Sequence, residues 1–258
     1  MIGMPPFAPL FGVGAESVTV RWLTVQYRTR ADIVASLLPA PLQPADDALA
    51  AIWVAEFLGA EFRLPDGTTE RRPPYPQAGI SVRCRHGDQL GAYPLTFFIE
   101  GLNHGTLGRE IFGLPKKQAR SVLLREDPSG VTGGVTSANG IDVVTVRAHR
   151  PPVEPAAVDP IPDWFAHHFP LKLIPSAEGT GYDVNKLVQV PFRTSGATGG
   201  WVGTGDVVLT PSTADPLHLV ECVEVVEARY GRVDLEVGFG TYLERVDEIP
   251  TFGVPDWS

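Results

Sequence analysis

Residues 108–117 read GREIFGLPKK, and no other segment of the chain is as informative about its fold and chemistry. Two adjacent lysines, Lys116 and Lys117, follow a turn shaped by Gly113 and Pro115. An ordinary lysine has a pKa of about 10.4, so only about one amine in 2,500 is neutral at pH 7. Burial can lower that pKa by roughly 3–5 units, and the neutral amine can then attack a ketone and form a Schiff base. The segment therefore makes the chain a candidate enzyme.

The lysine pair also has a plainer interpretation as two solvated cations at the end of a loop. The apolar run 111–114 favours burial, because it can form the walls of a dry pocket. If residues 116 and 117 are extended, their side chains point to opposite faces, and repulsion between the two amines is worth roughly 0.5–2 kcal/mol. A three-unit shift of the pKa needs about 4 kcal/mol. We therefore predict that burial has the largest effect on Lys116 and that Lys117 has a secondary one.

The composition is that of a globular protein. The chain has 258 residues, of which 43% are hydrophobic and 20% charged, and its net charge is −9. This charge argues against a nucleic-acid partner or an anionic membrane surface. The two cysteines, Cys84 and Cys222, form no zinc or disulfide pattern, and adjacent histidines at 167–168 are poorly placed to chelate one metal ion. From this pattern we expect no metal site. No signal peptide or long apolar run is visible, so we also expect no membrane span and a cytoplasmic location.

Glycine (27 residues) and proline (25 residues) separate many short runs of valine, isoleucine and leucine. This pattern favours short strands and turns over a helical bundle. The dipeptide Asn139-Gly140 predicts a hairpin turn, and residues 230–232 predict a hairpin tip. The clearest predicted strands lie at 18–27, 80–85, 93–99, 141–146, 187–192 and 206–210.

Helices are few. One is predicted at 30–38, ended by Pro39, and a short one at 162–168. The loop 151–162 holds five prolines and could divide two lobes, but strands are predicted on both sides of it. We therefore expect one domain, 1–258, with this proline-rich loop inside it. Its class is α+β, dominated by antiparallel strands that close into a barrel or folded sheet.

The pattern Gly-Arg-Glu-x-x-Gly-x-Pro-Lys-Lys in this chain resembles the signature of the acetoacetate decarboxylase family. Three further segments are similar to that family: 27–42, the strand residues 55–57 and LKLIPS at 171–176. The likeness covers about residues 20–180, and the remainder matches only in its strand-rich character. The resemblance implies the same β-dominated fold, no cofactor, homo-oligomeric assembly, and a small oxo acid such as pyruvate or acetoacetate as substrate.

The resemblance also implies roles for single residues. Lys116 is the Schiff-base lysine, and Lys117 and Phe112 tune its environment. Glu56 and Tyr75 are candidate general acid/base groups. The alternatives are a solvated or ion-paired Glu56 and a Tyr75 that only packs in a loop.

Two more residues belong to the lysine loop. We expect Arg109 and Glu110 to form a pair that holds this loop, rather than to take part in the chemistry.

The chain departs from the family's decarboxylases at two places. The family shows Tyr-x-Glu-x-Gly where this chain has YPQAG at 75–79, so Gln77 occupies the glutamate position. The family's first-strand arginine aligns with Val20, and Arg21 lies one residue away, which on a strand faces the other side. A one-residue shift or bulge would restore it, so we include Arg21, with Gln77, among the predicted pocket residues.

A glutamine is uncharged, so it cannot promote loss of a substrate carboxylate by charge repulsion, as a glutamate can. We therefore rank aldolase–dehydratase chemistry above acetoacetate-type decarboxylation. A non-catalytic carboxylate-binding protein on the same fold is the third alternative.

Overall fold

A computed structural model describes residues 14–101, 106–152 and 156–249. Within these ranges the chain forms sixteen β-strands, two short α-helices, and 3₁₀ turns at Asp163–Ala166 and Leu217–Leu219. The helices are α1 (Ala31–Leu37) and α2 (Leu107–Phe112). The strands before α2 are β1 (Ala15–Arg28), β2 (Gln43–Pro44), β3 (Leu49–Phe57), β4 (Ala60–Arg63), β5 (Thr69–Arg72), β6 (Tyr75–His86) and β7 (Gln89–Ile99). The strands after α2 are β8 (Lys116–Asp127), β9 (Gly130–Ser137), β10 (Asp142–His149), β11 (His167–His168), β12 (Leu171–Pro175), β13 (Tyr182–Gly203), β14 (Gly205–Leu209), β15 (Glu224–Val237) and β16 (Thr241–Arg245).

Seven strands close into a barrel. Their order around the ring is β7-β11-β13-β15-β1-β3-β6, and the antiparallel pairing of β6 with β7 closes it. The expected class, β-dominated and barrel-forming with few helices, is confirmed. Closure leaves these strands no free edge within the ring.

A second sheet continues from the barrel through β8. This strand runs parallel to the end of β7, with Phe97 opposite Lys116, and then pairs with β9, which pairs with β10 and β10 with β14. Lys116 therefore starts β8 at the junction between the barrel and the second sheet.

Two clusters of buried residues lie on opposite faces of the barrel strands. On β1, Val20 and Trp22 belong to the cluster inside the barrel, whereas Leu23 and Val25 belong to the cluster between the barrel wall and the second sheet. Strand β3 is buried on both faces almost throughout, so it reads as a continuous apolar run rather than an alternating one.

Several local predictions are confirmed. Helix α1 ends at Leu37, two residues before Pro39, and Gly140 has a left-handed φ of 81° in the turn between β9 and β10. The predicted hairpin tip at 230–232 is wrong, because β15 runs through it while paired with β1 along its length. The predicted helix at 162–168 shrinks to one 3₁₀ turn, after which His167 and His168 join the barrel.

None of the helices in the described ranges is both long enough and apolar enough to span a membrane.

Candidate active site

The turn between α2 and β8 places Lys116. Gly113 ends α2 with a left-handed φ of 77°, and its N–H donates to the carbonyl oxygen of Arg109 at 3.0 Å. A Cβ at this position would lie 2.4 Å from the Cα of Lys172, so this close approach requires glycine. The carbonyl oxygen of Pro115 accepts a hydrogen bond from the N–H of Phe97 at 2.9 Å. The turn is thereby packed against β12 at Gly113, and the start of β8 is held against β7 at Pro115.

A cavity of about 50 Å³ lies around the side chain of Lys116. The Lys116 Nζ donates a hydrogen bond to Oε1 of Gln77, at 3.3 Å. Gly108 on α2 passes so close that a Cβ there would lie 3.0 Å from the same nitrogen. Phe112 at the end of α2 also lines the cavity. Gln77 and Phe112 are therefore brought together with Lys116.

Aromatic rings form most of the remaining wall. Trp22 and Trp53 stack with their ring centroids 4.5 Å apart, and Phe97 meets Trp53 edge-on at 4.9 Å. Phe57 stacks on Tyr75 at 4.7 Å. Rings packed in this way leave little room for the water that would solvate a charge.

The surroundings shift the pKa of the Lys116 amine. Burial lowers this pKa from 10.5 to about 8, and the nearby Glu16 carboxyl opposes the change by favouring the ammonium form. Burial is thus the main cause of the lowered pKa. This agrees with the prediction that repulsion between the two amines is too weak to produce such a shift.

Glu16 is a functional candidate that reasoning from the sequence missed. It lies near the start of β1, lines the cavity, and accepts a hydrogen bond from the Tyr75 hydroxyl at 3.3 Å. Burial raises the pKa of its carboxyl, while Lys116, Tyr75 and Arg72 act in the opposite direction. No motif surrounds Glu16, and only its place opposite Val237 in the barrel brings it to the lysine.

Tyr75 is placed in the cavity as its proposed role requires. Its side chain is buried, and burial followed by the charge of Glu16 raises the pKa of its hydroxyl well above 10. The hydroxyl therefore stays protonated and can donate hydrogen bonds throughout the neutral range.

Lys117 points away from the cavity. Its Nζ lies 2.5 Å from Oδ1 of the buried Asp215 and donates to the carbonyl oxygen of Ala214 at 3.0 Å. Alternation along β8 separates the two amines, and the Asp215 carboxylate neutralises the charge of Lys117. The expectation that Lys117 tunes the pKa of Lys116 is corrected accordingly: no effect of Lys117 on that pKa is found.

Glu56 and Arg21 are also placed elsewhere. They are opposite each other on β3 and β1 and form an ion pair of 3.3 Å, and Arg21 Nε donates to the Tyr230 hydroxyl at 3.2 Å. Their chain neighbours Trp22 and Phe57 face the cavity instead. The strand alternation thus puts both charged groups on the outer face of the barrel wall, which corrects their assignment to the pocket.

Arg109 and Glu110 are exposed on α2. Arg109 donates to the carbonyl oxygen of Lys116 at 3.4 Å, so it supports the lysine loop. Within the described residues, no ion pair joins Arg109 to Glu110, so the expected pairing of these two side chains is not seen.

In the described ranges, no three histidine, cysteine, aspartate or glutamate side chains come together as a metal site. The polar side chains that line the cavity are an amine (Lys116), a carboxyl (Glu16), a phenol (Tyr75) and a carboxamide (Gln77).

A sequence profile described as "Acetoacetate decarboxylase (ADC)" matches residues 3–246. The chain belongs to the acetoacetate decarboxylase family. Among its curated relatives, the acetoacetate decarboxylase of Burkholderia multivorans is 27% identical over 238 residues, with 92% of each chain covered. The family's lyase class is therefore the class of this protein.

Two solved structures show the same fold. The acetoacetate decarboxylase of Legionella pneumophila matches with a TM-score of 0.79 at 19% identity, over 94% of this chain and 93% of that one. The enduracididine biosynthesis enzyme MppR, complexed with pyruvate, matches with a TM-score of 0.71 at 17% identity, over 93% and 95% of the two chains.

Proposed function

We propose that this protein is a cofactor-independent lyase that forms a Schiff base between Lys116 and a small oxo acid, and that it catalyses aldolase–dehydratase chemistry. The observation that carries the proposal is the Lys116 amine in an aromatic cavity, where burial lowers its pKa to about 8. At that pKa about one amine in ten is neutral at pH 7, roughly two hundred times the fraction of an ordinary lysine.

The size of the cavity favours a small substrate. Each water-sized site needs roughly 10–15 Å³, so the cavity of about 50 Å³ accommodates about three to five such sites. A molecule the size of pyruvate or acetoacetate fits this space better than a long-chain acid. The enduracididine biosynthesis enzyme MppR, which has a similar fold and whose structure contains pyruvate, supports the same choice.

The proposed chemistry begins with attack of the neutral Lys116 amine on the carbonyl carbon, and loss of water leaves a protonated imine. This cation withdraws electrons from the adjacent carbon, so that a proton can leave and an enamine forms. The enamine then attacks an aldehyde carbon, and the new hydroxyl departs as water. Hydrolysis of the imine frees the product and restores the amine.

The side chains around Lys116 support this order of events. The Tyr75 hydroxyl can donate a hydrogen bond to the substrate oxygen that is protonated and leaves as water. Glu16 provides a carboxyl group in the same cavity. Gln77 contacts the amine with a neutral carboxamide, so it adds no negative charge that would drive a carboxylate out as carbon dioxide.

Acetoacetate decarboxylation is the second candidate, because curated relatives that match 92% of the chain carry that activity in their names. Carbon dioxide release from acetoacetate separates it from condensation of pyruvate with an aldehyde. A third candidate, a non-catalytic carboxylate-binding protein, would use Lys116 as a plain ammonium.

The decisive experiment is reductive trapping. Incubation with pyruvate or acetoacetate followed by borohydride should add the mass of the reduced substrate to Lys116, as located by peptide mass spectrometry. Lys116→Arg should abolish the adduct, although it keeps the positive charge that a binder needs. Adduct-free protein with every small oxo acid, and retained binding by Lys116→Arg, would favour the non-catalytic alternative.

The proposal includes a cytoplasmic homo-oligomer. Membership of the family supports the homo-oligomer. Analytical ultracentrifugation tests the assembly directly.

A further inference from the structure

The cavity contains little positive charge for a substrate carboxylate. All 21 lysines and arginines fall within the described residues, and of these Lys116 is the cation that lines the cavity. Once the imine forms, this charge sits on the substrate's own C=N bond. The position where decarboxylases of the family carry an arginine on β1 is Val20, and Arg21 is paired with Glu56 outside. A substrate carboxylate therefore finds no guanidinium among the lining side chains.

The same cavity already holds a carboxyl, that of Glu16. The charged and titratable groups that face it are Lys116 on β8, Tyr75 on β6 and Arg72 on β5. Directly across from Glu16 on β4 and β15 are Phe62 and Val237, which do not titrate.

Arg72 is held apart from the cavity by its own contacts. Its guanidinium carbon stacks 3.5 Å from the centre of the Phe62 ring, and its Nε lies 3.0 Å from Oε1 of Glu70. Phe62 lines the cavity, whereas Arg72 packs on the Phe62 ring and is not among the lining residues. Arg72 thus moderates the charge of Glu16 without offering its planar fork to a ligand in the cavity.

Two carboxylates cannot both remain ionised in a small, water-poor space. In such pairs one proton is shared, and the O–H···O⁻ hydrogen bond that results is short and strong. Resting on the proposed function, we infer that an oxo acid enters the cavity together with one proton, which Glu16 takes up, so that the neutral Glu16 acid holds the substrate carboxylate. Burial, which raises the pKa of Glu16, favours the same protonation.

The proposed role of Glu16 applies to substrates that carry a carboxylate and not to neutral ones. A neutral ketone such as acetone brings no carboxylate, so its binding needs no proton on Glu16. Both compounds react with the same Lys116 amine, and the effect of pH on that amine cancels in the ratio of their affinities. The ratio of pyruvate to acetone affinity therefore reports Glu16.

The experiment measures borohydride trapping of pyruvate and of acetone as a function of concentration, between pH 5.5 and pH 8.5. In the wild type, the affinity ratio should be constant while Glu16 is also protonated in the acetone complex, and should fall about tenfold per pH unit once Glu16 ionises there. In Glu16→Gln, whose carboxamide donates without titrating, the ratio should not change with pH. Glu56→Gln removes an acid outside the cavity and should behave as the wild type.

A second variant provides an independent test if Glu16→Gln does not fold. Tyr75→Phe removes a hydrogen bond that stabilises the ionised Glu16, so the fall in the ratio should begin at a higher pH. A wild-type ratio that does not depend on pH, with both compounds trapped, overturns the inference and leaves the Schiff base intact. Absence of an adduct with both compounds refutes the proposed function itself.

Discussion

Lys116 and Lys117 are neighbours in sequence, but they contribute to stability with opposite signs. The protein keeps the Lys116 amine in an aromatic cavity, and the pKa lowered from 10.5 to about 8 corresponds to a cost of about 3 kcal/mol while the amine is charged. Lys117, by contrast, pairs with Asp215, whose side chain is only 3% exposed. Removing Lys117 would leave that carboxylate buried and unpaired.

We therefore predict that Lys116→Met raises the free energy of unfolding at pH 7 by roughly 1–3 kcal/mol, whereas Lys117→Met lowers it by about 1–3 kcal/mol. The second value is discounted because the Lys117 side chain is 42% exposed. Urea denaturation of the two variants at one protein concentration measures both changes. Destabilisation by Lys116→Met would mean that its amine carries no burial cost.

The sign of the pH effect follows from the lowered pKa. Between about pH 8 and pH 10.5 the unfolded chain binds a proton at Lys116 that the folded chain has lost, so folded stability from this group rises with pH across that window. The advantage of Lys116→Met over the wild type should therefore be full below pH 8 and vanish by pH 10.5.

The same pKa predicts the rate of imine formation. With acetone, the initial rate of adduct formation should rise about tenfold per unit from pH 6 to nearly pH 8 and level off above it, because the amine is then neutral. An ordinary lysine would keep rising to about pH 10.4. Quenched-flow samples analysed by mass spectrometry give the profile, and a plateau only above pH 10 would contradict the buried amine.

At the scale of elements, two glycines near the turn from α2 to β8 have different roles. Gly113 is required by the packing of the turn, whereas Gly108 leaves room for the reactive amine of Lys116. A Cβ at Gly113 would meet the Lys172 backbone at 2.4 Å and would also force a left-handed φ on alanine. A Cβ at Gly108 would instead touch the Cε and Nζ of Lys116 at 3.0 Å, which is the mobile end of a side chain. The first contact cannot relax without moving β12, whereas the second displaces the amine.

The two alanine variants should therefore differ. Gly113→Ala should lower the free energy of unfolding by about 2–4 kcal/mol, since the left-handed conformation alone costs roughly 1–2 kcal/mol. Gly108→Ala should unfold within about 1 kcal/mol of the wild type but form the Lys116 adduct roughly 10–100 times more slowly, because a misplaced nucleophile loses its alignment. Thermal melts and trapping rates measure these effects. Equal loss of stability in both variants would show that Gly108 also has a structural role.

These elements also show what could be read from the sequence. Proline, asparagine–glycine and period-two signals are local, so α1 and the turn at Gly140 were predictable. The long strand β15 was not, because Gly231 resembles a turn residue, and the pairing of Gly231 with Trp22 on β1 joins residues that are far apart in the sequence.

The candidate site divides in the same way. Lys116 was recognisable because the family signature surrounds it in the sequence. Glu16 was not, since it enters the cavity only through the closure of the barrel. Glu56, although it lies in a segment similar to the family, is on the wrong strand face by one residue.

At the scale of the whole molecule, the proline-rich loop 151–162 does not separate two sheets. Strand β1 from the first half pairs with β15 from the second, and β10, just before the loop, pairs with β14 after it. Tryptophans from both halves are buried: Trp22 and Trp53 before the loop, Trp164 and Trp201 after it. Because each half completes sheets of the other, neither half can bury its apolar faces alone.

The single domain therefore stays a prediction with a direct test. Urea unfolding at a fixed protein concentration should give one transition, with tryptophan fluorescence and far-UV circular dichroism coinciding. A Trp→Phe variant at 22 and 53 leaves tryptophans only in the second half, and one at 164, 201 and 257 leaves them only in the first. Each variant is less stable than the wild type by its own amount, but within each one the two signals should share a midpoint because the barrel closes across the loop. Two separate transitions, with the two halves melting at different urea concentrations, would show that the loop divides folding units after all.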